Sequence, residues 1–172
     1  MIKGETIDLH PITENDIEWL RKTRNQYSDD FFTSDYIKPE QQRAWYEHYK
    51  ESSTDKMFII RLKNGIEVGT IALYNINIAD RTANIGRMLI LDDFRGCGYM
   101  KEALTLLTGA AFKTMHLYKL RLDVFLDNAQ AIGLYASAGY RSVKRPIMLM
   151  EAVNFNYNNR EAFCMPDFGG DD

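Results

Sequence analysis

The 172 residues carry 45% hydrophobic and 12% aromatic side chains, enough to bury one sizeable core, and no stretch reads as a linker between two. With 21 basic against 24 acidic side chains and a formal net charge of -3, the chain lacks the dense positive surface that a phosphate backbone selects, so nucleic acid is excluded as a partner class. The longest apolar run falls far short of the ~20 residues of a bilayer span, and Met1-Ile2-Lys3-Gly4-Glu5 has no secretory apolar region; no membrane partner is expected, and the cytoplasm is the expected compartment.

Glu5 to Leu9 alternates polar and apolar residues as a first strand does, and Thr13 is a good N-cap for a helix through Ile17, Leu20 and Arg24. Residues 25 to 38 break that pattern with Asn25, Tyr27, Asp29, Asp30, Phe31, Phe32, Asp35 and Tyr36. Pro39 then opens a second helix with Trp45, Tyr46 and Tyr49 on one side. Met57 to Leu62 and Glu67 to Tyr74 read as two strands joined at Asn64-Gly65, a dipeptide suited to the positive φ angles of a tight hairpin turn, and Thr82 to Leu91 continues as a third. A helix from about Gly98 to Met115 places Met100, Ala103, Leu104, Leu107, Ala111 and Met115 on one face, and Leu120 to Phe125 returns as a strand parallel to the one before the helix. After a helix around Asn128 to Ala138, the last strands are expected at Tyr140 to Lys144 and Asn156 to Met165, with Gly169-Gly170-Asp171-Asp172 as a frayed tail.

Cys97 and Cys164 are the only cysteines, too few for a disulfide framework or a zinc cluster, and both read as free thiols. His10, His48 and His116 are scattered with no pair at ligand spacing, so no metal is expected.

Chemistry concentrates in two segments. In Leu91-Asp92-Asp93-Phe94-Arg95-Gly96-Cys97-Gly98-Tyr99-Met100, a glycine-containing turn at a helix start aims free backbone N–H groups and the positive end of the helix dipole at one point. The ligand expected there is a phosphate. No Gly-Lys-Ser/Thr follows the turn, which speaks against a nucleotide site of the P-loop type. The second segment is Asn128-Ala129-Gln130-Ala131-Ile132-Gly133-Leu134-Tyr135-Ala136-Ser137-Ala138-Gly139-Tyr140, in which Asn128 and Tyr135 lie nearly two helical turns apart on one face.

Together the two segments resemble the signature motifs of the GCN5-related N-acetyltransferase (GNAT) superfamily. Arg95 and Gly98 match its Gln/Arg-x-x-Gly-x-Gly/Ala loop; Met100 stands where the pattern has a small residue, as in the ribosomal-protein alanine acetyltransferase branch, which this region resembles. Asn128, Ala131, Leu134, Tyr135, Gly139 and Tyr140 match the Asn-x-x-Ala-x-x-Leu-Tyr-x-x-x-Gly-Phe/Tyr element. The resemblance implies an α/β fold in one domain, residues 1–168, with a mixed central sheet of about seven strands and about four flanking helices. It also implies acetyl-CoA as co-substrate and no metal. Backbone groups of Met88, Leu89 and Ile90 would take the pantetheine and the acetyl carbonyl, those of Arg95, Gly96, Cys97, Gly98, Tyr99 and Met100 the pyrophosphate, Asn128 a further hydrogen bond to the cofactor, and Tyr135 would be the catalytic acid for the departing thiolate.

Many members of the family supply a glutamate base on the strand where this chain has Asn84, and asparagine cannot act as a base, so no base is named from the sequence. The acceptor usually lies between residues corresponding to 24–38 and 145–157. Arg24-Asn25 and the aromatic segment after it are similar to enzymes acting on nucleotide-linked amino sugars, so a small primary amine of that kind is the first reading. The alternatives are a protein N-terminus, a polyamine, or a CoA-binding module without catalysis. A homodimer is the assembly expected.

Overall fold

The computed structural model describes residues 1–28 and 35–143, together with the backbone of 148–153. One mixed sheet organises it: β1 (Ile2–Lys3), β2 (Ile7–Pro11), β3 (Lys56–Leu62), β4 (Glu67–Asn77), β5 (Thr82–Ile90), β6 (Lys119–Val124), β7 (Arg141–Val143) and β8 (Met148–Val153) stand in the order β1-β2-β3-β4-β5-β6-β8-β7. Only β5 and β6 run parallel, joined through a helix as expected; every other neighbour is antiparallel. Helices α1 (Ile17–Gln26), α2 (Pro39–Glu51), α3 (Tyr99–Lys113) and α4 (Ala129–Ser137) complete the α/β arrangement. The mixed sheet of about seven strands with four helices is as expected; among the described residues it has eight strands when the two-residue β1 is counted.

Two cores lie on opposite faces of the sheet. Alternation along β4 and β5 sends Ile71, Leu73, Ala83 and Ile85 to one face, where Ala103, Leu104, Leu107 and Ala111 of α3 cover them. The other face puts Ala72, Ile59 and Met57 against Leu20 of α1 and Tyr46 of α2. Burying these side chains at roughly 1.5–3 kcal/mol each supplies the main drive to fold.

The local signals explain the element ends. The Asp16 carboxylate accepts from both the Thr13 backbone N–H and the Thr13 hydroxyl at 2.7 Å, stopping the chain into a short 3-10 turn from which α1 continues. Pro39 occupies the first turn of α2. At Asn64-Gly65 only Gly65 has a positive φ (+89°), and Leu62 and Ile66 close the loop through a 2.8 Å hydrogen bond. The turn is thus a three-residue loop with glycine in the left-handed region, in place of the tighter two-residue turn the dipeptide suggests. The first full strand starts at Ile7, two residues later than the alternation indicates, because residues 4–6 turn around a side chain of α3. That side chain is Glu102. Its carboxylate accepts from the N–H groups of Glu5 (2.6 Å), Thr6 (3.0 Å) and Ile7 (3.4 Å) and from the Thr6 hydroxyl.

The carboxy-terminal expectation needs correction. The strand expected at Asn156 to Met165 lies outside the described residues, as does the tail at 169–172. Met148–Val153, which the sequence places in an acceptor loop, is instead β8, paired along its whole length with β6 from Val124↔Met148 to Lys119↔Val153. No helix among the described residues is long and apolar enough to cross a membrane.

Burial raises the Glu102 pKa and the hydrogen bonds from Thr6, Glu5 and Ile7 lower it by more, holding the carboxyl below its usual value of 4.5. A depressed folded pKa contributes stability that is complete above the unfolded value and is lost as pH falls through the folded one. Glu102→Ala is expected to lower stability by about 1–2 kcal/mol at pH 7 in urea unfolding, and the difference from the parent chain should shrink as pH drops below about 4.5. A difference that stays constant from pH 7 to pH 3 would contradict this role.

Candidate active site

A bulge in β5 shapes the site. Between the pairs Thr70↔Leu89 and Ala72↔Gly86, β4 uses one residue and β5 uses two, and Arg87 takes up the difference with φ +50°, in the left-handed region that non-glycine residues seldom occupy. Several contacts hold it there. The Thr70 hydroxyl donates to the Arg87 carbonyl at 2.8 Å, and the Arg87 guanidinium pairs with Asp55 at 2.8 Å. The same guanidinium lies 5.1 Å from the Tyr74 ring centroid and 5.9 Å from that of Trp45, within cation–π range. Trp45 is itself stacked on Tyr49 at 5.3 Å, and the Tyr49 hydroxyl accepts from the Met57 N–H, so α2 and β3 brace the bulge together.

From Ile85, ahead of the bulge, the sheet opens. β5 pairs with β6 only from Thr82↔Lys119 to Asn84↔Arg121, while β6 continues with β8 to Val124. Met88, Leu89 and Ile90 therefore stay on β4 and turn an unpaired backbone edge toward the gap. Gly69 makes this possible: a Cβ there would stand 2.1 Å from the Leu89 carbonyl oxygen.

The gap widens into a cleft of about 760 Å³. Met88, Leu89 and Ile90 line one wall; Arg95, Gly96, Gly98, Tyr99 and Met100 close one end; Asn128 and Tyr135 form the opposite wall. Of the residues expected to form the site, the structure thus brings all but Cys97 to one cleft. The Cys97 side chain is exposed with Sγ 3.9 Å from the Arg95 carbonyl oxygen, and only its backbone belongs to the turn. Gly96 and Gly98 adopt φ values of +79° and +82°, which a side chain would oppose. Gly98 has no side chain to cap α3, and the first helical bond runs from Glu102 N–H to Gly98 at 3.1 Å. The N–H groups of Tyr99, Met100 and Lys101 accordingly have no carbonyl within their helix. Arg95 is anchored at the base of the turn: Nε is 3.0 Å from Asp92 and 3.3 Å from the Ile90 carbonyl oxygen, and the guanidinium lies over the Tyr27 ring.

On α4, Asn128 caps the helix by accepting from the Ala131 N–H at 3.0 Å. Tyr135 sits one face down the helix, only 7% exposed, and burial pushes its hydroxyl up to about 12. Tyr140 behind it is pushed up by burial as well and shares a 2.8 Å hydrogen bond with Thr108. The site is polar where an anion would lie and apolar along the middle, a donor set that fits the phosphates and the thioester arm of acetyl-CoA.

The opposite mouth of the gap belongs to the α1–α2 face. Tyr74 stands in register with Asn84 and lies across Gly86, with its hydroxyl 3.0 Å from where a Gly86 Cβ would be. Burial, and after it the Asp123 carboxylate, push the Tyr74 pKa up. Asn25, expected near the acceptor, is committed elsewhere: its amide clasps the backbone of Ile37 with bonds of 2.8 and 2.9 Å. Asp29 and Asp30 lie outside the described residues. A neighbouring cleft of about 400 Å³ is lined by Trp19, Lys22, Tyr27, Asp92 and Asp93 among others. No group of three or more metal-ligating side chains occurs among the described residues.

Sequence reasoning missed Gly69, Thr70 and Arg87. A glycine needed for close approach looks like any other glycine, and an arginine at a bulge carries no pattern of its own.

A family model described as an acetyltransferase (GNAT) domain matches residues 7–141. The chain belongs to the GNAT acetyltransferases. As a member it is an acetyl-CoA-dependent N-acetyltransferase acting on an amine. Among curated relatives it is similar to the spermidine N(1)-acetyltransferase of Escherichia coli K12, 25% identical over 167 residues that make up 96% of this chain and 88% of the relative. The Vibrio cholerae spermidine N(1)-acetyltransferase is 19% identical over 136 residues, 78% of each chain. Among solved structures, the Vibrio cholerae spermidine N-acetyltransferase in complex with CoA and spermine superposes with a TM-score of 0.81 at 15% identity, covering 87% of this chain and 96% of that one. A dodecameric form of the Vibrio cholerae protein gives 0.76 at 17% identity over 91% and 99%. The GNAT resemblance is thereby upheld, while the relatives found are spermidine enzymes rather than the alanine or amino-sugar branches the motifs suggested.

Adding one methyl at Gly69 must push the Leu89 backbone away from β4. Gly69→Ala is expected to weaken acetyl-CoA binding at least about tenfold by calorimetry, a loss of about 1.4 kcal/mol. Unchanged affinity would show that the cleft does not depend on this close approach.

Proposed function

We propose that this protein transfers the acetyl group of acetyl-CoA to a primary amine of a polyamine. The observation that carries the reading is the opening between β5 and β6, which runs from the uncapped start of α3 past the unpaired edge of Met88–Ile90 to the buried Tyr135. In this reading the N–H groups of the Gly96–Lys101 turn hold the pyrophosphate, and the Met88–Ile90 edge aligns the pantetheine by strand-like hydrogen bonds. A strand N–H near Leu89 polarises the acetyl carbonyl and holds the oxyanion that forms as the amine adds. Asn128 contributes a further polar contact. Tyr135 gives its proton to the departing thiolate.

One observation favours a polyamine over the nucleotide-linked amino sugar that the sequence first suggested: the curated relatives that span the chain are named for spermidine. A CoA-binding module without catalysis is the second reading, motivated by Asn84 where many members carry a glutamate. Release of CoA from acetyl-CoA, measured with spermidine, a nucleotide-linked amino sugar and an amino-terminal peptide and with product mass confirmed, separates these. Turnover is expected with spermidine; binding of acetyl-CoA without turnover of any amine would favour the module. The assembly is proposed to be a homo-oligomer, whose size light scattering would give.

Tyr135→Phe is expected to lower kcat by about 100-fold or more with acetyl-CoA affinity unchanged. Because burial holds this phenol protonated up to about 12, the parent enzyme should show no loss of kcat from this acid between pH 7 and pH 10. A Tyr135→Phe variant as active as the parent would remove Tyr135 from the mechanism.

A further inference from the structure

We propose that Asp123 of β6 is the carboxylate that receives the acceptor's amino group and takes up its proton as the new C–N bond forms. The inference rests on the acetyl-transfer reading and adds the group that the sequence left unnamed at Asn84.

Strand alternation places it. Leu120, Leu122 and Val124 are buried in the core under α3, so Lys119, Arg121 and Asp123 face the other side of the sheet, the α1–α2 side. Arg121 is the last β6 residue bridged to β5, opposite Asn84. Asp123, two residues on, is therefore the first side chain on that face past the point where the strands part. Gly86, on the β5 side of the opening, presents no side chain, and the Tyr74 phenol fills the space above it. Burial, and after it the Asp123 charge, push the pKa of that phenol up. Asp123 is exposed and makes no hydrogen bond or ion pair among the described residues.

The other carboxylate on this rim is already neutralised. Asp55 pairs with Arg87 at 2.8 Å, while Asp123 has no cation held against it among the described residues. Among the described residues, the charged or titratable groups facing it are Tyr74 from β4, Arg87 with its partner Asp55 from β5 and the segment before β3, and Arg121 and Lys119 on its own strand. In β8, Leu149 stands opposite Asp123 and Glu151 opposite Arg121 in the register.

The chemistry balances with groups already named. A primary ammonium entering from the α1–α2 face pairs with the carboxylate, and one N–H proton passes to Asp123. The nitrogen lone pair forms the C–N bond to the acetyl carbon as the C–S bond breaks. The sulfur keeps that electron pair and takes the Tyr135 proton; the second proton released by the nitrogen restores the tyrosine, and the proton held by Asp123 leaves to solvent.

The test compares Asp123→Asn and Asp123→Glu in the full chain with two acceptors: spermidine, cationic at neutral pH, and 2,2,2-trifluoroethylamine, whose fluorines keep it largely neutral. With spermidine, kcat/KM of Asp123→Asn at pH 7.5 is expected to fall about 100-fold, with part of the loss recovered by raising the pH to 9.5, where more of the amine arrives neutral. With trifluoroethylamine the loss should be under about fivefold, acetyl-CoA affinity should stay within twofold, and Asp123→Glu should recover most of the spermidine rate. A spermidine kcat/KM within twofold of the parent would overturn the proposal, and so would equal losses with both acceptors, the mark of a merely structural role. If the parent enzyme binds acetyl-CoA yet acetylates no amine, the transfer reading fails first and this assignment falls with it.

Discussion

The Arg87 bulge is the constraint on which the rest of the structure depends. An arginine at φ +50° is unfavourable by itself, and it stands in the stretch of β5 that has parted from β6 and borders the cleft. The chain holds the bulge with the Thr70 hydroxyl on the backbone and with Asp55, Tyr74 and Trp45 on the side chain. The two hydrophobic cores meet at this point. Met88 and Ile90 pack toward α3, while Arg87 reaches into the aromatic stack of α2. Fixing β5 to β4 through Gly69 then leaves the far edge of Met88–Ile90 free to bind a ligand by its backbone.

This arrangement explains why so few side chains need to be special. In the proposed function, an edge of N–H and C=O groups and the start of α3 would take an anion and an extended amide arm without help from residue identity, leaving specificity to the rim. The rim is mixed: Tyr135 on the α4 side supplies a phenol that stays protonated, and the α1–α2 side offers Tyr74, Asn84 and Asp123 around a side-chain-free Gly86. Acidic and aromatic residues at the neighbouring cleft extend that character away from the reacting centre.

Much of this was legible in the sequence because it depends on local chemistry. The turn before α3 and the Asn128 cap are each written in a few contiguous residues, and the apolar face of α3 follows from 3.6-residue spacing. What could not be read depends on long-range geometry. Met148–Val153 lacks both β-branched enrichment and clean alternation, with only Val153 of the branched type, so nothing local marked it as the strand beside β6. Asn25 looked like a recognition residue because its amide can bond anything; only the fold shows that Ile37 already occupies it. Leu120 to Phe125 reads as a strand, but nothing local says that one of its faces borders an opening. That opening lies beside a bulge in a different strand.

The most direct test of the account is hydrogen–deuterium exchange of the full chain with and without acetyl-CoA. Binding should slow exchange chiefly at the amides of Met88 and Ile90, which face the gap, and at those of the Gly96–Lys101 turn, with β2 and β3 unchanged. Acetyl-CoA that binds while those amides exchange as before, or that instead protects the Trp19–Tyr27 and Asp92–Asp93 cleft, would contradict the claim that the parted strands form the cofactor site.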